Sequence, residues 1–154
     1  MFDHVSIGVA DIGRSKTFYD AALKPLGFSR LSDGETSLGY GDKSVALWLG
    51  ATSKPVKSDM ESGLHFCLSA KDRAAVDAFH AAALKAGGKD NGEPGPRQGY
   101  AAYAAFAFDP DGNNVEAVIW EGEPRKSERR RRAVARGKTS SPARKKTRRG
   151  RRSL

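Results

Sequence analysis

Two stretches decide the reading of this chain: HVSIGVADIGRSKTFYDAALKPLGF, residues 4–28, and HFCLSAKDRAAVDAFHAAALKAGG, residues 65–88. Displaced by 61 positions they align without a gap, with 8 identities over about 24 positions. His4 meets His65, Asp11 meets Asp72 and Phe18 meets Phe79. Ala21-Ala22-Leu23-Lys24 meets Ala82-Ala83-Leu84-Lys85, and Gly27 meets Gly88. A repeat of this length, with the same order of patterns, indicates two copies of one supersecondary unit. Each copy opens with period-2 alternation, the mark of a half-buried strand. Val5, Ile7 and Val9 share one face, and His4, Ser6 and Gly8 the other; Phe66 and Leu68 oppose His65, Cys67 and Ser69. An acid, Asp11 or Asp72, then stands where its carboxylate can cap a helix. The apolar stripes Phe18-Ala22-Leu23 and Val76-Phe79-Ala83-Leu84 follow the helical period. Gly27 and Gly87-Gly88 end those helices.

Outside the repeat, strands are expected at about 28–33, 36–41 and 44–50, turning at Asp33-Gly34 and Gly41-Asp42. Residues 51–62 (ATSKPVKSDMES) are polar, contain Pro55 and read as a linker. After the second helix a short strand near 89–92 and a loop at 93–100 are expected. Strands near 102–108 and 113–120 then flank the turn Asp109-Pro110-Asp111-Gly112. The fold class expected is α+β: two repeated βαβββ modules forming a cleft between curved mixed sheets. Module one covers about 1–50 and module two about 63–120, within a domain of residues 1–122.

The 154 residues suffice for one ordinary domain. The net charge of +9 divides unevenly. Residues 1–120 carry 12 Lys and Arg against 15 Asp and Glu, a net −3, whereas residues 121–154 carry 15 against 3 Glu, a net +12. Basicity therefore belongs to the tail, residues 123–154, which has few large apolar side chains and is expected to be disordered. Free in solution, residues 125–152 would contact nucleic acid or other polyanions nonspecifically and with strong salt dependence. No aromatic residue is interleaved there for base stacking. A single cysteine excludes an intrachain disulfide and suits a reducing, cytoplasmic setting. MFDHVSIGVAD lacks the pattern of a signal peptide, and no apolar run is long enough for a membrane span.

The chemistry-bearing residues sit on the polar faces of the strands. His4 and His65 open the first strand of each module. In the last strand Val115, Ala117 and Ile119 face the core, which turns Asn114, Glu116 and Val118 away. If the sheets pair about a pseudo-twofold axis, His4, His65 and Glu116 converge. Two imidazoles and a carboxylate hold one divalent metal ion, Fe, Mn, Zn or Ni, with open positions for water and substrate. Matching the Gly41-Asp42 turn to Asp111-Gly112 sets Ala46 against Glu116, so three protein ligands are expected, with no fourth. Trp48, Cys67, Arg97 and Tyr103 are candidates for lining the substrate cleft. For Cys67 a buried inert thiol is the alternative, for Arg97 simple exposure, and for Trp48 and Tyr103 aromatic core packing. His80 reads as a surface or boundary residue. The Asp109 turn lacks the glycine and glutamate positions of a calcium loop and reads as a hairpin turn.

DHVSIGVADIGRSKTFYDAALKPLGF, GLHFCLSA with the helix after it, and AFAFDPDGNNVEAV together resemble the vicinal oxygen chelate superfamily, the glyoxalase/bleomycin resistance/dioxygenase group. The resemblance spans about residues 1–120. It implies paired βαβββ modules lining a metal cleft, with ligands at His4, His65 and Glu116. It implies a homodimer, and a lyase or dioxygenase acting on a small oxygen-rich substrate that chelates the metal through two oxygens. Glu116 then serves either as ligand only or partly as base, with the acid-base group otherwise unidentified. Glyoxalase I enzymes of the family use a further ligand from the last strand of the first module, where this chain has Ala46, so the three-ligand set looks more like extradiol dioxygenases and fosfomycin-resistance enzymes. Two other readings stay open: a metal-free module that sequesters a small molecule, as bleomycin-binding members do, and a nucleic-acid-associated protein acting through the tail.

Overall fold

The computed structural model describes residues 2–56 and 59–122. Module one runs β1 (Val5–Val9), α1 (Ile12–Leu23), a 3-10 turn (Lys24–Leu26), β2 (Ser29–Asp33), β3 (Ser37–Gly41) and β4 (Val45–Ala51). Module two runs β5 (Phe66–Ser69), α2 (Arg73–Lys85), β6 (Lys89–Arg97), β7 (Ala102–Phe108) and β8 (Asn114–Trp120), after a 3-10 turn at Met60–Ser62. The sheets have the orders β1-β4-β3-β2 and β5-β8-β7-β6, so the repeat holds at the level of topology. In each, the first strand lies parallel to the last and the remaining neighbours are antiparallel. Met1–Gly122 forms one compact unit. The expectations for the tail fall outside the described residues.

Local chemistry explains the element boundaries. Asp11 accepts from the Arg14 backbone N–H at 2.8 Å and Asp72 from that of Ala75 at 2.8 Å, each capping its helix. Gly27 closes the 3-10 turn in the left-handed conformation (φ 85°) and Gly87 leaves α2 the same way (φ 95°). The strand after α2 differs from expectation. Instead of stopping near residue 92, β6 continues to Arg97 through Pro94 and Pro96. It is the outer strand of its sheet and its register shifts twice, between Asp90 and Gly92 and between Gly92 and Gly95. An edge strand with bulges needs no ladder N–H from those prolines.

One hydrophobic core serves both modules. Val9, Phe18, Tyr19, Ala22, Leu38 and Leu49 of module one join Val76, Phe79, Ala83, Ala107, Val115 and Ala117 of module two. The modules meet through their helices, with α2 packed on α1 and on the 3-10 turn after it. A polar joint locks them. The Asp109 carboxylate is buried and accepts from the Asp111 and Asn113 backbone N–H groups, from Asn113 Nδ2 and from the Tyr19 hydroxyl (2.8 Å) across the module boundary. Asp111, also buried, accepts from the Ala10 N–H (3.2 Å) and pairs with the Arg14 guanidinium (2.8 Å). The hairpin turn expected at 109–112 thus also clamps module two onto the start of α1. Burial, and then the neighbouring Asp109 carboxylate, push the Tyr19 phenol well above its ordinary pKa of 10.0.

Candidate functional site

Each sheet packs one face against the helices and turns the other, its open face, away from them; on module two that face also carries a small buried cluster of Ala102, Ala104 and Val118. On module two the register sets Cys67 and Phe106 on either side of Glu116, so the three share the open face with His65. His65 Nε2 stands 3.1 Å from Glu116 Oε2. The other ring nitrogen, Nδ1, lies 2.8 Å from the Gly63 carbonyl oxygen. A carbonyl can only accept, so Nδ1 donates to it, and Nε2 is the nitrogen that faces the carboxylate. Contact at this distance requires a shared cation between the two atoms, either a proton or a metal ion. The Glu116 side chain is 12% exposed and that of His65 38%, so the pair is rooted in the sheet and open on the imidazole side. Phe106 holds the ring edge-on, with centroids 5.7 Å apart and planes at 70°.

Arg97 shares this neighbourhood. Its guanidinium lies 5.2 Å from the Phe106 ring centroid, and its Nη2 donates to the carbonyls of Glu93 (3.1 Å) and Ala104 (2.8 Å). Among the described residues its buried Nε has no hydrogen-bond partner. Cys67 is exposed on the open face rather than buried as an inert thiol. Tyr103 is not on that face. It pairs with Ile119, packs against the core, donates to Asp77 Oδ1 at 2.8 Å and lies under Arg73 at 4.7 Å. Alternation along β7 is the reason: Phe106 is an odd number of residues away and takes the open face. Phe106 was not singled out from sequence, although the AYAAFAF pattern sets it in step with Ala102 and Ala104 on the side opposite Tyr103. His80 is more buried than expected, at 7% exposure, and its Nε2 lies 2.8 Å from Asp90 Oδ1. The Gly92 N–H, and then His80, hold the Asp90 carboxyl below its ordinary pKa.

His4 stands apart from the pair. It lies just before β1 on an exposed segment, and its Nδ1 is 2.7 Å from Asp3 Oδ1. The carboxylate accepts from Nδ1, so Nε2 is not engaged in this contact. Among the described residues no group of three His, Cys, Asp or Glu is assembled to hold a metal ion. Within one chain the structure therefore brings two of the three expected ligands together.

The hydrogen-bond register also revises the counterpart of Glu116. Ser6 pairs with Trp48 on β4, as its repeat-equivalent Cys67 pairs with Glu116 on β8. Leu47 thus corresponds to Val115 and Trp48 to Glu116, two residues beyond the Ala46 that turn matching gave. The loops differ: Tyr40 pairs with Leu47 through a bulge, whereas Ala107 pairs with Val115 through a regular ladder one residue longer. A slip of two preserves the face, so this position still offers no ligating atom.

Among the described residues no helix is long and apolar enough to cross a membrane. The model of the Glyoxalase/Bleomycin resistance protein/Dioxygenase superfamily matches residues 1–117. The chain is 32% identical over 127 residues to a probable lactoylglutathione lyase of Vibrio cholerae, covering 75% of this chain and 87% of that protein. A glyoxalase/bleomycin resistance protein from Albidiferax ferrireducens superposes with a TM-score of 0.68 at 34% identity, covering 77% of this chain and 98% of that one. The fosfomycin resistance protein FosX of Mesorhizobium loti shares the fold at 15% identity, with a TM-score of 0.60 over 84% of this chain and 96% of that one.

Proposed function

The chain belongs to the glyoxalase/bleomycin resistance protein/dioxygenase superfamily, and from that premise we propose that it is a homodimeric, divalent-metal lyase for a small substrate bearing two neighbouring oxygens. The observation that carries this reading is that His65 Nε2 and Glu116 Oε2, two potential metal ligands, face each other at 3.1 Å while His65 Nδ1 is anchored to the Gly63 carbonyl. His65 and Glu116 of one copy and His4 of a second copy would hold the metal. A bound divalent ion supplies Lewis acidity toward substrate oxygens. The names of the Vibrio relatives favour lyase chemistry over reaction with dioxygen.

The residues divide the work as follows. Gly63 and Phe106 fix the His65 ring in place and rotation. Glu116 has a second oxygen, Oε1, at which a proton leaving the substrate carbon can be held and returned. Arg97 brings a positive charge beside Phe106, where it favours substrates with an acidic group. The packed helices α1 and α2 take up the core side of both sheets, leaving the open faces for a second copy. Enclosure between two such faces excludes water from the reacting oxygens.

Elemental analysis of protein purified from metal-supplemented medium tests the reading. We expect about one divalent ion per chain, reduced to background in His65→Ala. Wild-type protein that stays metal-free would leave His65 and Glu116 as a plain ion pair and favour the ligand-sequestering reading.

A further inference from the structure

Trp48 occupies the place in module one that Glu116 occupies in module two. Its seat is built for it. The indole edge and the Val45 methyls meet over Gly39, its partner on β3. A Cβ at residue 39 would lie 2.9 Å from both Val45 methyl carbons and 3.0 Å from Trp48 Cζ3, so only glycine lets the indole lie down on the sheet. The repeat-equivalent partner in module two is Phe106, paired with Glu116. The two open faces thus exchange their bulk: aromatic on β7 beside an acid on β8, glycine on β3 beside an aromatic on β4.

We propose that Trp48 is a substrate-positioning platform that fills the place a fourth metal ligand would take. This rests on the dimeric metal reading above: with module one of one copy facing module two of another, the pseudo-twofold axis that relates Glu116 to Trp48 brings the indole across from the His65–Glu116 pair. Indole has no lone pair to offer a metal, its nitrogen being a donor only. Its flat, half-buried face instead stacks on a planar unsaturated or aromatic group next to the two chelating oxygens. The substrate class is therefore narrowed to small molecules whose paired oxygens sit on such a flat group.

The sequence has two tryptophans, Trp48 and Trp120, so a Trp120→Phe background isolates the Trp48 emission. Titrating this full-length protein with Co(II) alone should quench Trp48 as the ion binds, and the quenching should vanish in His65→Ala. Elemental analysis is run on the same samples. Ion bound in a His65-dependent manner with Trp48 emission unmoved overturns the inference while leaving the metal reading intact; no bound ion overturns both. Trp48→Glu, with folding checked by circular dichroism, supplies a carboxylate at the empty ligand position. It should tighten Co(II) binding by about tenfold or more, since charged ligands added to a site raise affinity by such steps. Unchanged or weaker binding in folded Trp48→Glu would place residue 48 away from the ion and overturn the inference. Should Trp48→Glu not fold, the quenching titration decides alone.

Discussion

The hydroxyl of Tyr19 reaches across the module boundary to Asp109, and its loss should be felt by both modules. In Tyr19→Phe the buried carboxylate keeps three other donors but loses its only donor from module one among the described residues. We expect a loss of about 1–3 kcal/mol, the usual cost of removing one partner from a buried hydrogen-bonded acceptor. The midpoint of denaturant unfolding checks it. The same residue sets an alkaline limit. Its folded pKa is raised above the ordinary 10.0, so the folded state keeps the proton longer than the unfolded chain. That stabilisation is complete below pH 10 and is lost as the pH rises from there toward the folded value. Tyr40 is raised as well, by burial and then by its hydrogen bond to Asp20. Melting temperature should therefore fall steeply above pH 10, and Tyr19→Phe should flatten that fall. An unchanged slope in the variant would assign the alkaline limit to other groups. None of this was visible in the DPDGNN motif, where turn chemistry predicts a hairpin but carries no information on which distant hydroxyl the turn meets.

At the level of the element, the repeat, both helix caps and seven of the eight strands were legible because each rests on local chemistry: alternation, an acid before an apolar stripe, a glycine after it. What was not legible depends on neighbours. The reach of β6 through Pro94 and Pro96 is decided by its edge position. The pairing of Trp48, rather than Ala46, with the Glu116 position is decided by a bulge between Tyr40 and Gly41. The strand-face argument placed Glu116 beside His65, because alternation survives both errors. Tyr103, for which cleft lining and core packing both stood open, takes the core side, because its parity on β7 follows from pairing with Ile119. The junction of α2 and β6 offers a test of close packing. A Cβ on Gly88 would lie 2.6 Å from Phe18 Cε2 and 2.8 Å from the carbonyl oxygens of Ala83 and Phe108. Two of those atoms are backbone and cannot rotate aside. Gly88→Ala should cost about 1–3 kcal/mol through overpacking, read as a lowered denaturation midpoint. Gly50→Ala, where a Cβ meets nothing within 4 Å, should cost less and serves as the comparison.

At the scale of the whole molecule, charge and ligand supply both separate into parts. Residues 1–120 carry a net −3 and residues 121–154 a net +12, so removing residues 123–154 should leave the melting temperature and metal content unchanged. Any salt-sensitive retention on nucleic acid should disappear with them. The ligands separate differently: His65 and Glu116 meet within the chain and His4 does not join them. If a second copy supplies His4, each site draws on two chains, and the two copies exchange identical faces as twofold symmetry requires. His4→Ala and His65→Ala should then each lose metal as homodimers. When the two variants are mixed and allowed to exchange subunits, half the dimers are mixed. Each mixed dimer contains one intact site, His65 and Glu116 from the His4→Ala chain with His4 from the other, and one site lacking both histidines. Metal content should recover to about one quarter of the wild-type value per chain. Sites built within single chains would recover nothing on mixing, because every chain in the mixture lacks one of its own histidines. Recovery therefore distinguishes a shared site from one closed by rearrangement of a single chain, and it does so without knowledge of the substrate.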